Sequence, residues 1–156
     1  MYRIMFVCHG NICRSPMAEF VFKDIVKREN RESDFLIKSS ATSNEEIGNP
    51  VHYGTVRKLS QYCISCQGKR AIRLTKDDYD KYDMFVGMDS YNLINMLKIF
   101  GSDPDGKIHS MLEFIGQSRD VADPWYTGDF DKTYDDIKAG CEALFTELSF
   151  QDRTKI

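Results

Sequence analysis

Residues 4–16 read IMFVCHGNICRSP, and this stretch decides the fold. The uninterrupted apolar run at residues 4–7 is typical of a strand that is buried on both faces of a parallel sheet. A polar loop follows, and Ser15 with Pro16 is a sequence typical of a helix N-terminus. Apolar residues then recur at helical spacing, at Met17, Ala18, Val21, Phe22 and Ile25. The sequence predicts a strand that leads through a tight loop into a helix.

The same alternation of strands and helices continues along the chain. Apolar runs predict three further strands, at residues 35–37, 82–88 and 107–111. Helical spacing predicts three further helices, at residues 56–63, 90–100 and 130–148, the second beginning after Asp89 as its cap and stopping at Gly101. This pattern favours one α/β domain over residues 1–156, with a central four-stranded parallel sheet and helices on both faces. Ligands then bind at the carboxyl ends of the strands, where residues 8–15 are expected.

The bulk composition is that of an ordinary soluble globular protein. The net charge of −3 offers no sequence-independent attraction to nucleic acid or to an acidic membrane. The apolar run at the N-terminus is too short for a signal peptide, and no later stretch is long enough to span a bilayer. We therefore expect a cytoplasmic protein, monomeric, without membrane or nucleic-acid partners. Its five cysteines are an odd number, so their reactivity matters more than any disulfide framework.

The loop at residues 8–15 has the chemistry of an anion cradle. A helix N-terminus presents unpaired backbone N–H groups and partial positive charge. Gly10 and Asn11 suit the positive backbone angles that turn such a loop inward, and Arg14 adds a planar fork that can hold two phosphate oxygens. The same fields favour the thiolate of Cys8, to which Ser15 can donate a hydrogen bond. A phosphatase, an arsenate reductase or a non-catalytic binding or redox-sensing module could use this arrangement.

Residues 8–16, together with Asp123-Pro124-Trp125-Tyr126, resemble the motifs of the low-molecular-weight protein tyrosine phosphatases, and the resemblance spans nearly the whole chain. It implies that Cys8 attacks phosphorus to give a phosphocysteine while Arg14 holds the phosphate oxygens. It also implies that Asp123 protonates the leaving phenolate and then activates water. The substrate-binding residues carried over are His9, Gly10, Asn11, Ile12, Cys13, Ser15, Trp125 and Tyr126.

The resemblance implies a substrate class as well. A phosphotyrosine-containing protein or a small aryl phosphate would be hydrolysed without metal or other cofactor, with phosphate or sulfate as product or inhibitor.

From the residues alone the identity of the general acid stays open, because several aspartates share one acidic stretch and Asp-Pro is commonly a turn opener. These are Asp120, Asp123, Asp129 and Asp131. Only the match to the family motif singles out Asp123.

Several positions depart from the family pattern. Counting back from Gly48, Glu45 occupies a rim position that is usually aromatic, and an acidic rim would repel anionic peptides. Lys69 and Arg70 stand where some members carry a histidine, either as a solvated face or as cations that favour acidic sequence around a phosphotyrosine. Ile12 replaces the threonine of relatives that act on phosphoarginine, which favours phosphotyrosine.

The remaining cysteines leave alternatives open. Cys63 and Cys66 have the spacing of redox or zinc sites, but no second such pair accompanies them, and a local pair of thiols is expected. An arsenate reductase would relay a disulfide through further cysteines to thioredoxin. Those reductases resemble a different layout, with wider cysteine spacing and no Asp-Pro-Trp-Tyr motif. The family resemblance implies a reversible Cys8–Cys13 disulfide, the alternative being that Cys13 only packs beneath the loop.

A second glycine-rich stretch is predicted to have no catalytic role. Residues 101–108 match the glycine and lysine spacing of a nucleotide-binding loop but end in isoleucine, where serine or threonine would hold magnesium. The stretch also follows a helix rather than a strand and contains two carboxylates that would repel phosphate. A turn is expected here.

Overall fold

A parallel sheet of four strands organises the chain. The computed structural model describes residues 1–154. In chain order the strands are β1 (Tyr2–Cys8), β2 (Phe35–Ala41), β3 (Met84–Gly87) and β4 (Ile108–Ser110), and their order in the sheet is β2-β1-β3-β4. Every pairing is parallel, with Ile4 opposite Ile37 on one side and Met84 on the other. The predicted four-stranded parallel sheet is confirmed.

Helices cover both faces of this sheet. They are α1 (Arg14–Arg28), α2 (Tyr53–Ser60), α3 (Ser90–Phe100), α4 (Pro124–Thr127) and α5 (Phe130–Thr154). Alternate side chains of β1 enter opposite layers: Ile4, Phe6 and Cys8 pack with α1 and α5, whereas Met5 and Val7 pack with α3. This burial on both faces is why the β1 sequence is an unbroken apolar run. No helix within residues 1–154 is both long enough and apolar enough to cross a membrane.

The start of α1 differs from the prediction. The helix begins at Arg14, and Cys13 is its N-cap residue with no side-chain hydrogen bond to the helix. The predicted capping role of Ser15 is therefore wrong. Its hydroxyl oxygen instead lies 3.0 Å from the sulfur of Cys8, so this hydroxyl forms a hydrogen bond within the loop rather than capping the helix.

Several other elements also differ from the prediction in length or in the face that they bury. β2 continues past residue 37 to Ala41, paired with β1, and it includes Ser39 and Ser40, which are polar but fully buried. α2 ends at Ser60, short of the predicted residue 63, where Cys63 has a left-handed φ of 60° that no α-helix accommodates. β3 is shorter than the predicted span. On α3 the buried apolar residues are Met96 and Phe100, whereas Leu97, one of the apolar residues whose spacing predicts this helix, is exposed.

The predicted ends of α3 and the turn after it are confirmed. Asp89 Oδ1 accepts a hydrogen bond from the backbone N–H of Asn92 at 2.8 Å, and Gly101 ends the helix with a φ of 84°. In the turn towards β4, the Asp103 carboxylate accepts hydrogen bonds from the backbone N–H groups of Lys107 and Ile108, at 2.8 and 3.2 Å. A carboxylate thus occupies donors that a nucleotide-binding loop would offer to phosphate.

Candidate active site

The loop after β1 closes around the sulfur of Cys8. The backbone N–H groups of Asn11 and Ser15 donate to Cys8 Sγ, with N–S distances of 3.3 and 3.4 Å. Asn11 has a φ of 59°, the left-handed conformation that turns the loop inward. Gly10 does not have a positive φ, so that part of the prediction is wrong. Because α1 begins at Arg14, the positive end of its helix dipole adds to these donors. The surroundings of the sulfur favour negative charge.

The side chain of Asn11 leaves the hydroxyl hydrogen of Ser15 available to this sulfur. Its Oδ1 accepts from the backbone N–H of Ile72 at 3.1 Å, which fixes the amide orientation. Its Nδ2 donates one hydrogen to Ser15 Oγ at 2.7 Å and the other to Ser39 Oγ at 3.0 Å. Since Ser15 Oγ accepts from Asn11, its own hydrogen is left to donate to Cys8 Sγ. Asn11 and Ser15 are buried beneath the loop.

A buried ion pair anchors this network from below. Ser39 Oγ donates to the Glu19 carboxylate at 2.5 Å, and Lys69 Nζ lies 3.6 Å from the same oxygen. Lys69 Nζ also donates to the backbone carbonyl of Ser39 at 2.9 Å. Burial lowers the pKa of Lys69, and the nearby Glu19 partly opposes that shift. Lys69 is only 10% exposed, so the interpretation of it as a solvated or substrate-facing cation is wrong.

Replacing Lys69 by methionine is expected to destabilise the fold by about 2 kcal/mol, because the buried Glu19 carboxylate loses a partner. The cost should fall short of that for a wholly unpaired charge, since Lys23 Nζ remains 2.5 Å from the other Glu19 oxygen. Urea unfolding measures the difference. Lys38→Met replaces an exposed lysine of β2, next to the Ser39 carbonyl that Lys69 contacts, and is the matched control; it should change the free energy of unfolding by less than about 0.5 kcal/mol. Equal effects of both substitutions would contradict a structural role for the pair.

Arg14 is buried and held at three points. One guanidinium nitrogen, Nη1, donates to Asp89 Oδ2 at 2.8 Å and to the Val121 carbonyl at 2.9 Å, and Nη2 lies 3.3 Å from Asp123 Oδ2. Burial lowers the pKa of Arg14, but Cys8, Asp123 and Asp89 more than offset this, so the pKa is raised overall.

A role for Asp89 beyond helix capping is not predicted from the sequence. Its position two residues past the end of β3, at the same sheet edge as Cys8, is a signal that could have indicated it.

The structure separates Asp123 from the other candidate aspartates. Asp123 lies at the N-terminus of α4, where Oδ1 accepts from the backbone N–H of Trp125 at 3.1 Å, and it lines the cavity above Cys8. The other three carboxylates are engaged elsewhere: Asp120 with the backbone N–H of Ser90, Asp129 with that of Lys132, and Asp131 with Lys58 Nζ. None of these three lines this cavity.

Most predicted substrate-binding residues surround the same cavity. Those that line it are Cys8, His9, Gly10, Ile12, Cys13, Arg14, Asp123, Trp125 and Tyr126. Trp125 and Tyr126 are 56% and 83% exposed, so they are walls of the cavity rather than core residues. Asn11 and Ser15 do not line it, and their contribution is the hydrogen-bond network under the loop. Their place among the substrate-binding residues stays a prediction.

An acidic rim faces the aromatic walls. Glu45 and Glu46 both line the cavity, and Glu45 Oε2 lies 2.9 Å from His9 Nε2. Arg70, in contrast, donates to the Gly48 carbonyl at 3.3 Å and does not line the cavity. The cavity lining thus includes two carboxylates besides that of Asp123, one of them beside His9. Arg70 is not positioned to attract an acidic substrate into this cavity.

The remaining thiols have different surroundings. Burial and the neighbouring Cys8 raise the pKa of Cys13 to about 12, so its thiol is protonated at neutral pH. Cys63 is exposed and Cys66 is buried, and neither lines the cavity. Within residues 1–154, no cluster of three or more histidine, cysteine or acidic side chains could hold a metal ion. Cys8 is the thiol on which the backbone donors of the loop converge.

The fold and the loop together define a phosphatase class. A family model described as low molecular weight phosphotyrosine protein phosphatase matches residues 3–154. The chain belongs to this family.

Individual relatives agree over almost the full length. The Bacillus subtilis low molecular weight protein-tyrosine-phosphatase YfkJ is 36% identical over 150 residues, which cover 95% of this chain and 96% of that protein. The crystal structure of YfkJ superposes with a TM-score of 0.93 at 35% identity, covering 97% of this chain and 96% of that one. The enzyme SP-PTP from Streptococcus pyogenes has a TM-score of 0.85 at 42% identity, with 95% and 93% covered.

Proposed function

We propose that this chain hydrolyses phosphotyrosine and small aryl phosphates through a phosphocysteine intermediate on Cys8. The convergence of two backbone N–H groups and the Ser15 hydroxyl on Cys8 Sγ, at 3.0 to 3.4 Å, is the observation that carries the proposal. These donors stabilise the thiolate, which is the nucleophilic form. The thiolate attacks phosphorus, a sulfur–phosphorus bond forms, and the bond to the phenolic oxygen breaks.

Arg14 and the loop amides supply the positive charge for this step. The guanidinium is buried and oriented by Asp89, so it can hold two equatorial phosphate oxygens without reorganising. Because permanent cationic charge and helix amides already face the phosphate, the proposed reaction needs no metal. Inorganic phosphate is the second product, and phosphate or sulfate should inhibit by occupying the same cradle.

Asp123 is proposed as the general acid and then the general base. Its carboxylate lines the cavity beside Arg14 and Cys8, where it can reach the leaving oxygen. In the first step its protonated carboxyl group gives a proton to the departing phenolate and becomes a carboxylate. In the second it takes a proton from water, which attacks the phosphocysteine and releases phosphate and the Cys8 thiolate.

The cavity walls support an aryl substrate. Trp125 and Tyr126 form an exposed aromatic side that can accept a flat phenyl ring, and the apolar Ile12 offers no hydroxyl to a phosphoarginine guanidinium. Glu45 and Glu46 should disfavour acidic sequence next to the phosphotyrosine. We further propose that the protein acts as a monomer in the cytoplasm, where a reducing environment keeps Cys8 as a thiol.

Release of p-nitrophenol from p-nitrophenyl phosphate in the presence of EDTA tests the proposal. We expect steady turnover that added magnesium or zinc does not increase. A parallel reaction with arsenate, thioredoxin, thioredoxin reductase and NADPH should show no arsenate-dependent NADPH oxidation, because neither Cys63 nor Cys66 lines the cavity. Arsenate-dependent oxidation without phosphate release would replace the proposal with arsenate reduction, and phosphate binding without turnover would favour a binding module.

A further inference from the structure

His52 lies at the centre of an aromatic cluster beside the cavity. Its ring stacks on Tyr53, with centroids 4.6 Å apart and planes at 26°, and on Phe130, at 5.4 Å and 17°. Trp125, a wall of the cavity, meets the same ring edge-on at 5.6 Å and 76°. Stacked and edge-on pairs at such distances attract each other beyond simple burial. The His52 ring therefore connects the start of α2, the start of α5 and the aromatic wall on α4.

Hydrogen bonds hold His52 in this position. Its Nδ1 lies 3.0 Å from the backbone nitrogen of Gly54, and because an amide N–H can only donate, Nδ1 is the acceptor that caps α2. Its own backbone N–H donates to the carbonyl of Ile12 at 2.8 Å, in the loop around Cys8. His52 is thus tied to the catalytic loop through its backbone and to α2 through its ring.

The surface on which the ring rests is closely packed. A Cβ on Gly54 would lie 2.3 Å from the ring of Phe130, so Phe130 sits directly against the backbone of α2. Thr55 Oγ1 donates to the Cys13 carbonyl at 3.1 Å, a second tie between α2 and the loop. In contrast, α4 has four residues, and its Trp125 is 56% exposed. The firmly held His52 ring can therefore support the indole of Trp125.

We propose that His52 is a positioning residue that holds Trp125 as a preformed wall for the aryl ring of the substrate. His52 does not line the cavity, so it acts through Trp125 rather than by touching the substrate. The inference rests on the proposed function for the identity of that substrate. Removing the His52 ring should therefore weaken the binding of the aryl part of a ligand and leave the binding of its phosphate part unchanged.

Trp125 is the single tryptophan of the chain, so its fluorescence reports on the wall without any substrate. His52→Asn removes the ring but keeps a good N-cap acceptor, whereas His52→Phe keeps a ring but loses the acceptor. In His52→Asn, acrylamide should quench Trp125 more strongly than in the wild type, and the emission should shift to longer wavelength. In His52→Phe, quenching should stay at the wild-type level even though the melting temperature falls with the lost cap.

Two ligands separate the aryl contact from the phosphate contact. Benzylphosphonate carries a phenyl ring and a methylene in place of the scissile oxygen, and inorganic phosphate has no ring. In His52→Asn the Kd of benzylphosphonate should rise about threefold to tenfold, the range expected for a lost aromatic contact. The Kd of phosphate should change less than about twofold. Calorimetric titration measures both constants without turnover.

His109→Asn is the matched control. That ring also packs on an aromatic residue, Phe114, with centroids 5.9 Å apart, and its Nδ1 lies 2.9 Å from Glu113 Oε2, but it does not line the cavity. Neither Trp125 quenching nor either Kd should change in this variant.

Three results would overturn the inference: unchanged quenching in His52→Asn, equal weakening of both ligands, or a His52→Phe variant that behaves like His52→Asn. Equal weakening would mean that His52 acts through Ile12 on the loop. Failure of the wild type to hydrolyse p-nitrophenyl phosphate would reject the proposed function, while the fluorescence comparison would still decide whether His52 supports Trp125.

Discussion

Replacing Cys8 by serine is expected to reduce turnover of p-nitrophenyl phosphate by about four orders of magnitude or more. The backbone donors that stabilise a thiolate cannot make an alkoxide of a serine hydroxyl at neutral pH, so the loop loses its nucleophile. The cradle itself should survive, because Arg14, the loop amides and the Asn11 side chain are untouched. Inorganic phosphate is therefore expected to bind the variant, and calorimetry can compare its affinity with that of the wild type.

Cys63→Ser is the matched control for this substitution. Cys63 is exposed and does not line the cavity, so its replacement should leave kcat and KM unchanged within about twofold. Equal turnover by the wild type and Cys8→Ser would reject Cys8 as the nucleophile. A loss of turnover in Cys63→Ser would contradict the assignment of the reaction to the residues around Cys8.

Replacing Asp123 by asparagine is expected to lower kcat for phosphotyrosine by about 10²- to 10³-fold, the usual contribution of a positioned general acid. Asparagine is as good an N-cap residue as aspartate, so α4 and the Trp125 wall should persist. The loss should be smaller for p-nitrophenyl phosphate, because p-nitrophenolate leaves without needing a proton. Steady-state kinetics on the two substrates, with the wild type alongside, measures this difference.

Asp120→Asn tests whether position matters or only charge. Asp120 belongs to the same acidic stretch, but it accepts from the backbone N–H of Ser90 and does not line the cavity. The Asp120→Asn variant should retain nearly full activity on both substrates. A comparable loss in both variants, or an identical loss on both substrates in Asp123→Asn, would argue against Asp123 as the general acid.

The elements nearest the catalytic loop could be predicted well from the sequence. The unbroken apolar run of β1 follows from its burial on both faces, and the family motifs directed attention to Cys8, Arg14 and Asp123, all of which line one cavity. Asp89 and Gly101 could be predicted as the ends of α3, because helix capping depends on the residues next to the helix end. Such features are predictable because the interactions that produce them involve residues only a few positions apart in the sequence.

The support beneath the site could not be predicted, because it depends on contacts between distant segments. Glu19 looks like an ordinary polar residue of an amphipathic helix, yet it is buried against Ser39 and Lys69. The serines of β2 shortened the predicted strand, although they are buried where hydrogen bonds satisfy Ser39. Ser15 has the right residue type and position for a helix cap, but its hydroxyl bonds to the sulfur of Cys8. For Glu19, Ser39 and Ser15 a tertiary hydrogen bond overrode a local preference, whereas the buried Ser40 hydroxyl has no hydrogen-bond partner among the described residues.

Trapping of a phosphoryl group on Cys8 tests the central claim most directly. The wild type would be mixed with excess p-nitrophenyl phosphate in EDTA and quenched in acid within the first turnovers, and its peptides analysed by mass spectrometry. A phosphoryl adduct is expected on the peptide that contains Cys8, and it should be absent from Cys8→Ser treated in the same way. Release of p-nitrophenol with no adduct on Cys8, or with the adduct on another residue, would contradict the proposed mechanism.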